Sequence, residues 1–142
     1  MKRGMFFSSN TKSIVKTLSP FLDEIEGFSE QDWGQQSSNL AVTDNDKDFA
    51  LFELDLPRVY YGHLFCSTRT GKEAIIFGKQ ALSFLFDNSD AKAVCGLTPY
   101  EKRNVRLVMR KIGLKSYGLV NTEKGLMENF IITEQEWRTM NE

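Results

Sequence analysis

The sequence predicts an α/β fold on a mixed central sheet, and three observations carry that prediction. Between residues 39 and 67 apolar residues alternate or run in short blocks bounded by turn signals, as strands require. From Gly71 to Phe86 the period becomes helical, with Ala74, Phe77, Ala81 and Leu85 on one inward stripe. Strand, helix and strand then follow one another from 59 to 97, which is a βαβ unit whose two strands should be parallel.

Each element has its own warrant. Met5, Phe6 and Phe7 suggest a short first strand. Ile14, Val15, Leu18, Leu22 and Ile25 recur at helical spacing, with a break or fresh start expected at Ser19-Pro20. The segment SEQDW, 29–33, reads as a helical turn or a loop. NLAVT, 39–43, reads as a strand and DNDK, 44–47, as a turn. In DFALFELDL, 48–56, Ala50, Phe52, Leu54 and Leu56 share one face, and Glu53 and Asp55 the other. Pro57 ends that strand, and VYYGHLFCS, 59–67, completes an antiparallel meander. After the helix at 71–86 come a strand at 91–97, a helix at 100–112 and closing strands at 115–120 and 128–133. The predicted order is β-α-α-β-β-β-α-β-α-β-β.

Composition bounds the function. At 142 residues the chain fits one domain, 1–142. A net charge of −1 argues against nucleic-acid binding, which needs a basic excess. Cys66 and Cys95 have neither disulfide-framework nor zinc spacing, and they read as free thiols in a reducing compartment. The apolar run near the N-terminus is short of the about 7–15 residues of a signal peptide. No segment reaches the roughly 20 apolar residues of a membrane span. A cytoplasmic protein without membrane or metal partner is expected.

Two helix starts hold the polar residues of interest. Thr98-Pro99-Tyr100-Glu101 has the form of a capping box with proline at the first helical position. Its helix should end at Gly113, after Arg110 and Lys111. Arg103, Arg106 and Arg110 fall on one face, which is either a solvated basic surface or an anion site. Thr70-Gly71-Lys72-Glu73 has the same S/T-x-x-E form. It is either a plain cap or a turn whose amides meet a phosphate, with Arg69 and Lys72 supplying charge.

Residues 63–118, HLFCSTRTGKEAIIFGKQALSFLFDNSDAKAVCGLTPYEKRNVRLVMRKIGLKSYG, resemble the central part of the GNAT superfamily of acyl-CoA-dependent N-acetyltransferases. The element order matches that fold over most of the chain. The resemblance is greatest to small GNAT-like proteins of tailed bacteriophages, some described as head-assembly proteins. It implies that the strand before the long helix ends in a Q/R-x-x-G-x-G/A turn that binds the pyrophosphate of coenzyme A. Arg69 and Ala74 match the two ends of that turn. Lys72 stands at the middle glycine, with Gly71 one place early. Lys111-Ile112-Gly113-Leu114 matches the family's K-x-G-F. Lys102 replaces a frequent asparagine, and Met109 stands where a tyrosine often serves as general acid.

The resemblance further implies that acetyl-CoA is co-substrate and an amine the acceptor. The pantetheine arm would lie along Leu64, Phe65 and Cys66. The pyrophosphate would sit at Arg69, Thr70, Gly71, Lys72, Glu73 and Ala74, within reach of Lys102, Arg103 and Arg106. His63, the only histidine, is a candidate base or a structural residue. Glu53 and Asp55 are candidates to bind the amine or accept its proton, or solvated carboxylates. Tyr100 and Tyr117 are candidates for the missing acid, or packing aromatics; Trp33 and Trp137 read as packing residues. The rival expectation is a non-catalytic GNAT scaffold in phage particle assembly, bound to capsid or portal proteins. A homodimer is compatible with either.

Overall fold

A computed structural model describes residues 4–8, 39–45, 47–66 and 69–140. The helical segments expected between 14 and 33, and Trp33, lie outside the described residues. Seven strands form one sheet: β1 (Phe6–Phe7), β2 (Asn39–Thr43), β3 (Phe49–Leu56), β4 (Val59–Phe65), β5 (Ala93–Pro99), β6 (Lys115–Thr122) and β7 (Gly125–Thr133). Their spatial order is β1-β2-β3-β4-β5-β7-β6. Helix α1 (Lys72–Asn88) joins β4 to β5, α2 (Arg103–Ile112) joins β5 to β6, and α3 (Glu134–Met140) follows β7. All pairs are antiparallel except β4 with β5, as the βαβ reading requires.

The core lies where α1 and α3 cover one face of the sheet. Phe77, Ala81, Leu82, Leu85 and Phe86 from α1 pack with Val42, Ala50, Phe52, Tyr60, Val94, Phe130 and Ile132 from the strands, and with Trp137 from α3. Full burial of a side chain such as Phe77 or Leu85 is worth about 1.5–3 kcal/mol, and both are at most 1% exposed. Gly78 permits the close crossing of α1 and α2. A Cβ there would lie 2.4 Å from Cδ1 of Ile112. The inward stripe expected on β3 holds at Ala50 and Phe52 but not at Leu54 and Leu56, which are exposed beyond a register shift against β4.

The expected helix starts are corrected, and the correction is informative. Thr98 and Pro99 belong to β5, held opposite Glu128 and Met127 of β7, so cross-strand pairing overrides the capping signal. Helix α2 begins only at Arg103, with Lys102 at its cap and no side-chain cap. Thr70 does not cap α1 either. Gly71 is the cap residue, at φ 55°, and no side chain hydrogen-bonds there. The capping box that does form lies at α3, an element the periodicity did not reveal. Thr133 Oγ1 accepts the amide of Glu136 at 3.1 Å, and Glu136 Oε1 accepts the amide of Thr133 at 3.1 Å. The C-terminal expectation for α2 holds: Gly113, at φ 123°, donates its amide to the carbonyls of Met109 and Arg110.

Candidate active site

The parallel β4–β5 ladder is short. It registers Val59 with Ala93, Tyr60 with Val94 and Tyr61 with Cys95, and then stops. β4 continues to Phe65 and β5 to Pro99 without pairing to each other, while β5 keeps its full antiparallel ladder with β7. Gly62 and Gly96 follow directly on the last registered pair, and the strands part there. A cleft of about 960 Å³ occupies this opening. Gly78, Ala81, Val105 and Met109 line it on the helix side, and Glu53, Asp55, Tyr61 and His63 on the strand side.

Alternation along β3 and β4 brings the polar groups together. Glu53 sits opposite Tyr61, and Leu51 opposite His63, so Glu53 and His63 are diagonal neighbours. His63 Nε2 lies 2.9 Å from Glu53 Oε1, with both side chains partly exposed to the cleft. When Nε2 carries the proton it donates to the carboxylate, which leaves Nδ1 as an acceptor. The Tyr61 ring lies beside His63, centroids 4.8 Å apart. Its hydroxyl accepts the amide of Leu97 at 2.9 Å and so bridges the apex of the parting strands. Burial raises the Tyr61 pKa, against the Leu97 hydrogen bond and with the charges of Cys95, Glu53 and Asp55. Tyr61 is thus a protonated phenol at neutral pH. The sequence reading passed it over, although its alternation with His63 on one strand face was the available signal. Tyr100 is not with this group. It is exposed beyond the end of β5, with the Arg106 guanidinium 4.3 Å over its ring. Tyr117 lies on β6, also away from the cleft lining.

The residues expected along a pantetheine arm divide. Leu64 and Phe65 line the cleft, and Cys66, next along the chain, is not among its lining residues. Burial pushes the Cys66 thiol up to about 12, with the Asp48 charge adding and Arg69 opposing, so it is not a thiolate at neutral pH.

The turn at 69–74 leads from this edge into α1. Thr70, Gly71, Lys72 and Glu73 are exposed and Ala74 is buried. No side chain caps α1, and since the amide of Glu73 already donates to the carbonyl of Thr70 at 3.2 Å, the amides of Lys72 and Ala74 are the ones offered to an anion. Arg69 is not free to join them. Its Nη2 donates to Asp44 at 2.6 and 2.8 Å, its Nη1 lies 3.4 Å from the fully buried Asp48, and its guanidinium stacks 4.7 Å over Phe77. Arg69 ties the turn to the β2–β3 connection, a role that needs the acids Asp44 and Asp48 and so was invisible in the turn itself. Asp44→Asn is expected to lower stability by about 1–2 kcal/mol in chemical denaturation, since it removes the nearest counter-charge of Arg69.

The basic face of α2 is likewise partly spent. Arg106 donates to Glu128 at 3.3 Å and to the carbonyl of Tyr100 at 2.8 Å. Arg110 donates to Glu128 at 2.5 Å. Arg106 thus braces α2 against β7 and the end of β5. Lys102 lines the cleft and Arg103 is exposed, both at the N-terminal end of α2, with Lys72 at that of α1. Cations at helix N-termini are unfavourable by the helix dipole unless an anion binds there.

No protein-family model and no curated protein matches the chain. Solved structures do. Aminoglycoside acetyltransferase AAC(6')-Ib in complex with coenzyme A and kanamycin is 13% identical with a TM-score of 0.70, and the match covers 98% of this chain and 99% of that one. A variant of spermidine N-acetyltransferase SpeG from Vibrio cholerae is 10% identical with a TM-score of 0.76, covering 97% and 99%. At such identities the likeness is one of fold: the chain has the GNAT acetyltransferase fold.

Proposed function

We propose that this protein is an acyl-CoA-dependent N-acetyltransferase acting on an amine. The observation that carries the reading is the parting of β4 and β5 into a through-sheet cleft beside an uncapped helix N-terminus. It occurs in a fold whose solved neighbours hold coenzyme A. The backbone of Leu64, beyond the end of the β4–β5 ladder, would bind the pantetheine arm as an added strand. The α1 amides with Lys72 and Lys102 would hold the phosphates.

On the opposite face His63 accepts at Nδ1 the proton that the substrate ammonium loses before attack or the neutral amine loses as it attacks, while Glu53 fixes the ring through Nε2. The C–N bond forms and the C–S bond breaks. Tyr61 then gives its phenolic proton to the departing thiolate, and the proton held by His63 returns to the phenolate through solvent. Met109 has no proton to give, so this role falls to Tyr61.

Isothermal calorimetry with acetyl-CoA tests binding. A Kd of about 1–100 μM is expected, weakened about tenfold in Lys72→Ala and in Lys102→Ala. No heat at millimolar ligand would overturn the reading. Tyr61→Phe is expected to lower kcat about 10–100-fold without changing acetyl-CoA affinity. The loss should shrink with thioesters of more acidic thiols, whose leaving group needs no acid.

One observation favours a second reading, a non-catalytic scaffold for protein contacts such as phage head assembly. The turn's arginine is locked to Asp44 and Asp48, and the usual acid position holds Met109. Acetyl-CoA binding without thiol release across a panel of polyamines and aminoglycosides would support it.

A further inference from the structure

We propose that the outer face of α2 docks an acidic amphipathic helix of another protein. The cleft takes Lys102, Val105, Met109 and Ile112 from this part of the chain. A separate groove of about 590 Å³ is lined by Tyr100, Arg103, Asn104, Arg106, Leu107 and Arg110. The two sets share no residue, and at about 100° per residue they fall on opposite sides of the helix. Between 102 and 111 the chain carries Lys102, Arg103, Arg106, Arg110 and Lys111 and no acid. Solvated helix faces ordinarily mix the two signs in i, i+4 pairs.

Charge and shape together choose the occupant. Arg106 and Arg110 share one carboxylate, Glu128, so the three arginines of the groove keep a net positive charge. Arg103 is exposed and pairs with no carboxylate among the described residues. Arg110 is half exposed and gives only Nη2 to Glu128. Leu107, 49% exposed, and Tyr100, 46% exposed, add an apolar surface to the same groove. Arg103, Leu107 and Arg110 stand at i, i+4 and i+7, a single stripe in which an apolar residue lies between two cations. At 1.5 Å per residue the two arginines are about 10 Å apart along the axis. A helix laid along the groove meets this spacing with carboxylates at i and i+7 and an apolar residue at i+3 or i+4. An extended strand does not, since its same-side carboxylates repeat at about 7 or 13 Å. A nucleic acid would use the charge but not Leu107, and the chain's net charge of −1 does not draw a polyanion.

Fluorescence anisotropy on the full chain tests this. The probe is a labelled alanine-rich helical peptide of about 21 residues, with Glu at i and i+7 and Leu at i+3 and i+4. A Kd on the order of 10–100 μM is expected at physiological salt, as suits a small interface. An isomer of the same composition with its Glu residues moved off that face should bind at least about tenfold more weakly. Arg103→Glu and Leu107→Asp should each weaken the first peptide about tenfold or more. Both residues are exposed, so Tm should stay within about 2 °C of wild type. Lys79→Glu makes the same charge change at an exposed position of α1 outside both cavities. It should leave the affinity within about threefold. Saturating acetyl-CoA should not displace the peptide, which keeps this result separate from the proposed activity. No binding at millimolar protein, equal binding of the isomer, an equal loss in Lys79→Glu, or displacement by acetyl-CoA would each overturn the proposal. A single-stranded oligonucleotide bound more tightly than the peptide and lost in the same variants would overturn it in favour of nucleic acid.

Discussion

Replacing His63 with alanine is expected to cut turnover of acetyl-CoA with an accepted amine about 10²–10³-fold, with acetyl-CoA affinity unchanged. The reason is geometric. His63 lines the strand side of the cleft, opposite the helices, and its Nε2 is held 2.9 Å from Glu53. Deleting it removes the acceptor for the amine proton and leaves the backbone of Leu64 and Phe65 in place. Glu53→Gln should cost less, about tenfold, because the amide still accepts from Nε2 but no longer balances an imidazolium. Thiol release with added imidazole separates the two roles: it should recover in His63→Ala and not in Glu53→Gln. Wild-type turnover in His63→Ala would remove His63 from the chemistry.

Replacing Glu128 with alanine is expected to cost about 3 kcal/mol of stability, or a fall of about 9 °C in Tm for a domain of this size. Glu128 is 2% exposed on β7, yet it accepts from Arg106 and Arg110 of α2. Burial alone would raise its pKa. A hydrogen bond from Ser116 and another from Arg106, with the Arg110 charge, outweigh burial and hold it below the ordinary carboxylate range. Alanine leaves Arg106, only 15% exposed, without its counter-charge. Glutamine keeps the shape and should cost about 1–2 kcal/mol. The sign with pH follows from the depressed pKa. The stabilisation is complete above the unfolded carboxylate pKa and is lost as pH falls through the folded one. Wild type and Glu128→Gln should therefore converge in urea melts as the pH is lowered through the acid range. An unchanged gap down to pH about 2 would contradict the assignment.

Sequence and structure divide at identifiable residues. NLAVT at 39–43 and the α1 stripe were legible because one periodicity dominates each, and the parallel pairing of β4 with β5 followed from the helix between them. The capping motifs misled for one physical reason. A threonine followed three residues on by glutamate is neutral between a strand end and a helix start until long-range pairing decides. At Thr98 pairing with Glu128 won; at Thr133 the strand ended and the box closed. The Glu53–His63 pair could be named residue by residue but not joined, since their meeting depends on the β3–β4 register. Tyr61 at the apex depends on where the β4–β5 ladder stops.

By itself, then, the sequence determined the kinds of elements, their order, the alternation that puts Glu53, Tyr61 and His63 on one side of their strands, and the reach of charge near two helix starts. Those are local properties, set by periods of 2 and 3.6 and by the φ range of glycine. Only the tertiary structure decided which charges remain for a ligand. Arg69 is taken by Asp44 and Asp48, and Arg106 and Arg110 by Glu128. Those partners come from other strands, and a charge is spent or available only once the fold has set the distance to its counter-charge.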